Sequence, residues 1–160
     1  MKQQNKSVHL TIPAEADFVD VVRLSLYGIA TKMGFSYEDI EDMKVAVSEA
    51  CNNAVIHAYD KGNSGQIDVH FEEQKDGLRI TIKDFGSSFN YEKVSNEAES
   101  LHDKELSEVT VGGLGIFMMQ ALMDDVQVNN ETGTEVILIK LLNGTEGDKL
   151  YGFEETKGTV

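Results

Sequence analysis

The chain has 160 residues, 41% hydrophobic and 26% charged, an ordinary globular composition that suits a single domain with one substantial core. Fourteen Lys and Arg stand against 28 Asp and Glu, a net charge of −14, which argues against a basic groove for nucleic acid and leaves a basic protein partner, or simple solubility, as its meaning. With no apolar run of about 18 residues, no apolar segment behind residues 1–5 and one cysteine, Cys51, neither a membrane span, a secretory signal nor an intrachain disulfide is expected, and the chain is placed in the cytoplasm.

In chain order, residues 7–12 alternate in the manner of a strand and stop at Pro13, the sole proline. From 14 to 33 the apolar set Phe18, Val22, Leu26, Ile29 and Met33 recurs in steps of three and four, predicting a helix closed by Gly34, with Asp17, Asp20 and Arg23 on its other side. Ser36, three residues before Asp39, has capping-box spacing with Asp in place of Glu or Gln. It opens a second helix expected to run to about Tyr59, its core stripe being Ile40, Met43, Val47, Ala50, Ala54 and Ala58. Residues 66–73 and 78–85 read as two strands of an antiparallel hairpin joined across Lys75, Asp76 and Gly77. A polar stretch from 90 to 111 reads as a long loop of the kind that serves as a lid. A short helix from Gly112 to Met123 and strands near 125–129 and 135–142 follow, and the polar tail from 143 to 160 is expected to be poorly ordered. Helices grouped ahead of hairpin strands predict an α+β two-layer sandwich with a mixed, mostly antiparallel sheet and helices on one face.

Three stretches carry chemistry. On the second helix Glu49, Asn53 and His57 fall at i, i+4 and i+8, one heptad after Asp42, and no cation lies within helical reach of Glu49. A free carboxylate beside a carboxamide suits activation of a hydroxyl and binding of a hard cation, although a solvated helix face produces the same pattern. His57 lacks other ligands at metal-binding spacing and reads as a supporting residue, and His9, His70 and His102 have no partners suggested by spacing. In "DFGSSF", Asp84 ends an apolar strand, where it can accept from an amino group while Gly86 admits a flat ligand; taken alone, the stretch reads first as an ordinary strand-ending turn. In "GGLGIFMMQALM", Gly112, Gly113, Leu114 and Gly115 lead into an amphipathic helix, a place for a phosphate or a plain flexible joint. The spacing is neither that of a P-loop nor that of a dinucleotide fold.

Together and in this order, the three stretches resemble the GHKL (Bergerat) ATP-binding fold over residues 7–142. Within it the chain is similar to bacterial serine-protein kinases that double as anti-sigma factors, of the sigma-B type, most densely at "VVRLSLYGIA", "YEDIEDMKVAVSEACNNAVIHAY" and "GGLGIFMMQALMDDV". The resemblance implies Glu49 as general base and Asn53 as ligand of Mg²⁺ bound to ATP. It also implies Asp84 with Gly86 at the adenine, Gly113 and Gly115 at the phosphates with Gly112 and Leu114 beside them, and Arg23 on a partner-binding surface. Two positions depart from the family pattern: Ser88 replaces a usual glycine, and Thr134 followed by Glu135 stands where a threonine often reaches the adenine site. The implied protein is a homodimeric kinase that sequesters a sigma factor and phosphorylates a serine on an anti-sigma factor antagonist. The alternatives are a nucleotide-binding module without catalysis and the catalytic domain of a sensor histidine kinase, which would need a phosphoacceptor histidine ahead of this domain.

Overall fold

A computed structural model describes residues 4–58, 65–86 and 111–142 of the chain, with no side-chain description at 57, 58 and 111–113. The expected lid, the tail, Ser88 and His102 lie outside the described residues. Five strands form one sheet in the order β1-β2-β3-β5-β4: β1 Ser7–Pro13, β2 Gln66–Gln74, β3 Gly77–Asp84, β4 Asp125–Asn129 and β5 Thr134–Leu141. Every pairing is antiparallel, so the mixed character expected of the sheet is not found among the described residues. Pro13 ends an edge strand, where its missing N–H breaks no ladder.

The register sorts side chains onto two faces. Leu10, Val69, Ile82, Val136 and Val128 lie in one row, and Ile80 and Leu138 continue the same face. Most of these are buried against three helices, α1 Val19–Met33, α2 Tyr37–Asn53 and α3 Val111–Leu122. Burying one such side chain contributes about 1.5–3 kcal/mol, so this face, together with Leu26, Met43 and Met119 from the helices, supplies the core. The outer face carries His9, Thr11, Asp68, His70, Thr81 and Lys83. His9 and His70, unpaired by sequence spacing, stand directly opposite each other across β1 and β2 with ring centroids 5.6 Å apart.

Local signals explain the helix ends. Gly34 (φ 92°) closes α1 in a Schellman pattern, its N–H donating to Thr31 O and that of Phe35 to Ala30 O, both at 3.1 Å. The Ser36 hydroxyl accepts from the Asp39 N–H at 3.1 Å, as its spacing predicts. Three expectations shift. A short 3₁₀ turn at Ala16–Phe18 precedes α1, whose buried stripe is Val19, Val22, Leu26 and Ala30, leaving Phe18 exposed and Ile29 and Met33 half-buried. Next, α2 stops at Asn53 and passes into a π-turn at Ala54–Ala58, where the wider i→i+5 spacing ends the 3.6-residue lane from Glu49 through Asn53. Finally, the β2–β3 hairpin turns on Lys75 and Asp76 alone, because Gly77 already pairs with Gln74. Gly77 is needed for close packing rather than for the turn: a Cβ there would strike the Lys140 carbonyl oxygen and come within 2.9 Å of Leu141 Cα.

Candidate active site

The C-terminal half of α2 carries the first group of residues. Ala46, Val47, Ala50 and Cys51 face inward at 0–1% exposure, which fixes the helix and turns Glu49 and Asn53 toward α3. The Cys51 thiol is pushed up to about 12 by burial, so it is inert packing, as a lone cysteine suggests. Gly115, in α3, lies directly against this lane. A Cβ on it would approach Glu49 Oε2 to 2.9 Å and Asn53 Nδ2 to 3.5 Å. Glycine here lets the two helices close up around a carboxylate.

Burial raises the Glu49 carboxyl above the ordinary glutamate range, and no cation pairs with it among the described residues. Asn53 is 3% exposed, and its buried Nδ2 has no hydrogen-bond partner. A buried donor left unmade costs about 1–3 kcal/mol, and such orphans in folded proteins call for an explanation. An amide turned about its Cγ presents Oδ1 to the same space, which is the oxygen a hard cation such as Mg²⁺ takes. The residues therefore fit a metal carried in with a phosphate ligand better than they fit a closed core.

The second group sits where β3 and β5 meet. Asp84 pairs with Thr134 in register, and its Oδ1 accepts from the N–H of Gly86 at 3.1 Å and of Thr134 at 3.2 Å, leaving Oδ2 outside both bonds. Desolvation pushes this carboxyl up, against the opposing pull of those two N–H groups and the Lys83 charge. The Lys83 ammonium donates to Thr132 O at 2.7 Å, tying the β4–β5 turn to β3. Gly133 (φ 71°) completes the corner: a Cβ there would strike the Asp84 carbonyl oxygen and lie 3.1 Å from Phe85 Cα. Thr134 is 2% exposed beside Asp84, whereas Glu135 takes a bond from Asn129 on the other face; of the two, Thr134 is the one at this corner.

The remaining positions divide. The helix α3 begins at Val111, one residue ahead of the expected start, so Gly112 and Gly113 lie in its first turn and their N–H groups at its positive end. Leu114 is 38% exposed. Arg23 stands apart from these groups: it pairs with Asp20 on α1 and donates to the Ser48 hydroxyl at 3.4 Å. Gly133 was missed by sequence reasoning; its only signal is the Thr-Gly-Thr run ahead of an apolar strand.

One helix carrying a free acid and a sheet corner carrying a second one are two polar groups that the fold sets among its apolar core. The profile of the histidine kinase-like ATPase domain matches residues 12–140, and the chain belongs to that family. It is 44% identical over 142 residues to the serine-protein kinase RsbW of Oceanobacillus iheyensis, covering 88% of this chain and 90% of that one. Against the RsbW of Bacillus subtilis (strain 168) identity is 37%, over 92% and 93% of the two chains. Within the ATPase family the chain is thus a serine-protein kinase of the RsbW type. Its fold is also that of a solved structure of the RsbU and RsbW domains of Rv1364c from Mycobacterium tuberculosis, with a TM-score of 0.61 at 24% identity over 85% of this chain and 32% of that one. No helix among the described residues is long and apolar enough to cross a membrane.

Proposed function

We propose that this protein is an anti-sigma factor that sequesters a sigma-B-type sigma factor in the cytoplasm, works as a homodimer, and transfers the γ-phosphoryl group of ATP to a serine of an anti-sigma factor antagonist. The observation that carries this reading is the Glu49–Asn53–Gly115 cluster: an unpaired, partly desolvated carboxylate and an orphaned amide packed against the start of a helix. Glu49 accepts the proton of the incoming serine hydroxyl. Its carboxyl, raised by burial, is a stronger base than an exposed one. The serine oxygen forms its bond to the γ-phosphorus as the bond to the β–γ bridging oxygen breaks, ADP leaves, and the proton passes from Glu49 to solvent. Asn53 Oδ1 would hold Mg²⁺, which when bound with ATP supplies charge neutralisation at the phosphates. Gly112, Gly113 and Gly115 let the α3 backbone approach those phosphates, with Leu114 beside them. Asp84 Oδ2 accepts from the adenine amino group and Gly86 lies along the base. Arg23, with 40% of its side chain exposed, belongs to the surface that meets the protein partners.

The test is transfer of labelled phosphate from ATP to the antagonist. The wild type labels it and Glu49→Ala does not; a wild type that holds sigma factor yet labels nothing would leave a binding module without catalysis.

Asp84 supplies a prediction with two readouts. A carboxylate whose folded pKa is raised binds its proton more tightly in the folded chain, so stability falls as pH rises from the unfolded value to the raised one and stays lowered above it. Asp84→Asn removes that burden, and Tm at pH 7 is expected to hold or rise. The same change sets an amide N–H₂ against the adenine amino group, so ATP affinity by calorimetry is expected to drop roughly 10–150-fold, the worth of one hydrogen bond to a charged group. A fall in Tm with unchanged affinity would remove Asp84 from the nucleotide site.

A further inference from the structure

The inner face of the sheet is apolar along its length except at its ends. Asp84 and Thr134 occupy one end; Lys140, on β5, occupies the other. Lys140 is 7% exposed, an expensive place for an ammonium group unless it is paired. Its Nζ donates to the carbonyl of Leu122, the last residue of α3, at 2.7 Å. It also stands 3.8 Å from Asp39 Oδ1 and 4.0 Å from Asp42 Oδ2, both in the first half of α2. One buried cation therefore joins β5, the C-terminus of α3 and the start of α2, and its charge favours the negative end of the α3 dipole.

The two helices meet again at their other ends, where Gly115 of α3 lies against Glu49 of α2. A helix held at both ends against its neighbour has a fixed axial position; released at one end, it can slide. A small slide is enough to change the Gly115–Glu49 approach, because the space between them would not take even a methyl group without displacing the carboxylate.

We propose that Lys140 is a positioning residue for the phosphoryl-transfer reaction, setting the axial register of α3 on α2 and thereby the placement of Glu49 and of the α3 N-terminus from the far end of the helix pair. This rests on the kinase reading above. Lys140 touches neither ATP nor the serine in it. A purely structural ion cluster is the competing account, and the two differ in what they predict. Removing one partner of a buried ion cluster is destabilising because it leaves the remaining charges uncompensated, so a structural role lowers Tm without moving the turnover of folded molecules.

The experiment compares the full-length wild type with Lys140→Met and Lys140→Arg, measuring kcat for labelling of the antagonist, ADP affinity by calorimetry, and Tm. Lys140→Met is expected to lose roughly 10–100-fold in kcat, the cost of a misplacement on the order of 1 Å, and to lower Tm by roughly 5–20 °C because Asp39 and Asp42 lose their buried counter-charge. Lys140→Arg, which keeps a charge and donors, is expected to recover most of the loss. A Lys140→Met kcat within about two-fold of wild type, or an Arg variant as slow as the Met variant, overturns the proposal. Should Lys140→Met not fold, Asp42→Asn decides: a lowered kcat at unchanged Tm supports the role and a wild-type kcat overturns it. If the wild type labels no antagonist, the kinase reading fails by itself, and ADP affinity then judges Lys140, weaker binding in the Met variant supporting the register role and equal binding overturning it.

Discussion

Gly115→Ala should slow phosphoryl transfer by about 100-fold or more while leaving the protein at least as stable. Removing a general base costs typically about 10²–10⁴-fold in rate, and the added methyl group would sit 2.9 Å from Glu49 Oε2, closer than packed atoms allow. That oxygen is the far end of a flexible side chain, so the carboxylate swings away instead of the helices parting. Asn53 Nδ2, at 3.5 Å from the same methyl, is left in ordinary contact. Alanine in a helix is meanwhile favoured over glycine by roughly 0.5–1 kcal/mol. Thermal unfolding and single-turnover transfer measured on one preparation separate the two effects. A variant with wild-type turnover would mean that the position of Glu49 does not govern the reaction; one with sharply lowered Tm would mean that the helix contact is tighter than its geometry indicates.

Gly133→Ala is expected to act through the backbone and to be far more costly to the fold. Alanine at φ 71° carries a strain of about 1–3 kcal/mol, and its Cβ would strike the carbonyl oxygen of Asp84, with Asp84 C at 3.0 Å and Phe85 Cα at 3.1 Å. Backbone on both sides has no rotamer to retreat into, and overpacking of this kind adds about 1–3 kcal/mol. The sum, about 2–6 kcal/mol, corresponds to a Tm lowered by roughly 5–20 °C in a domain of this size. The displaced strand end is also the one whose Asp84 carboxylate faces the adenine in the proposed function. ATP should therefore stabilise the variant less than it stabilises the wild type in a thermal scan. An equal nucleotide-dependent rise in Tm would show that the corner tolerates movement.

These two glycines also show where the sequence speaks and where it is silent. Gly115 was legible as a place of close backbone approach because three glycines stand ahead of an amphipathic run. Its partner was legible too, since Glu49 and Asn53 share a helical face with no cation nearby. Period alone could not reveal that Gly115 meets the side chain of Glu49 rather than open space. Gly133 stayed hidden because its need for φ > 0 arises from a turn between β4 and β5 that must fold over the end of β3, a contact set by strand order. Gly77 fell to the same cause: Asp-Gly reads as a hairpin turn, while the steric demand comes from β5, more than 60 residues later. In the stripe of α1, Val22 and Leu26 keep their expected places while Val19 and Ala30 replace Phe18 and Ile29, because Phe18 and Val19 are both apolar and only the 3₁₀ turn before the helix chooses between them. Lys140 is not singled out by the sequence either: its two aspartates lie about 100 residues earlier, on α2, and no spacing links them.

The interior place of β3 and β5 in the sheet has a consequence for how the site comes apart. Each of these strands is hydrogen-bonded on both sides, and strands so enclosed are the last to exchange their amide protons in a folded domain. Asp84 and Thr134 belong to that slow pair. Gly112 and Gly113 sit in the first turn of a helix, whose first N–H groups have no carbonyl behind them. If the base lies at the Asp84–Thr134 corner and the phosphates at the start of α3, as in the proposed function, the base end of the site outlasts the phosphate end during local opening, and a nucleotide that loosens its hold does so tail first, with the base still seated.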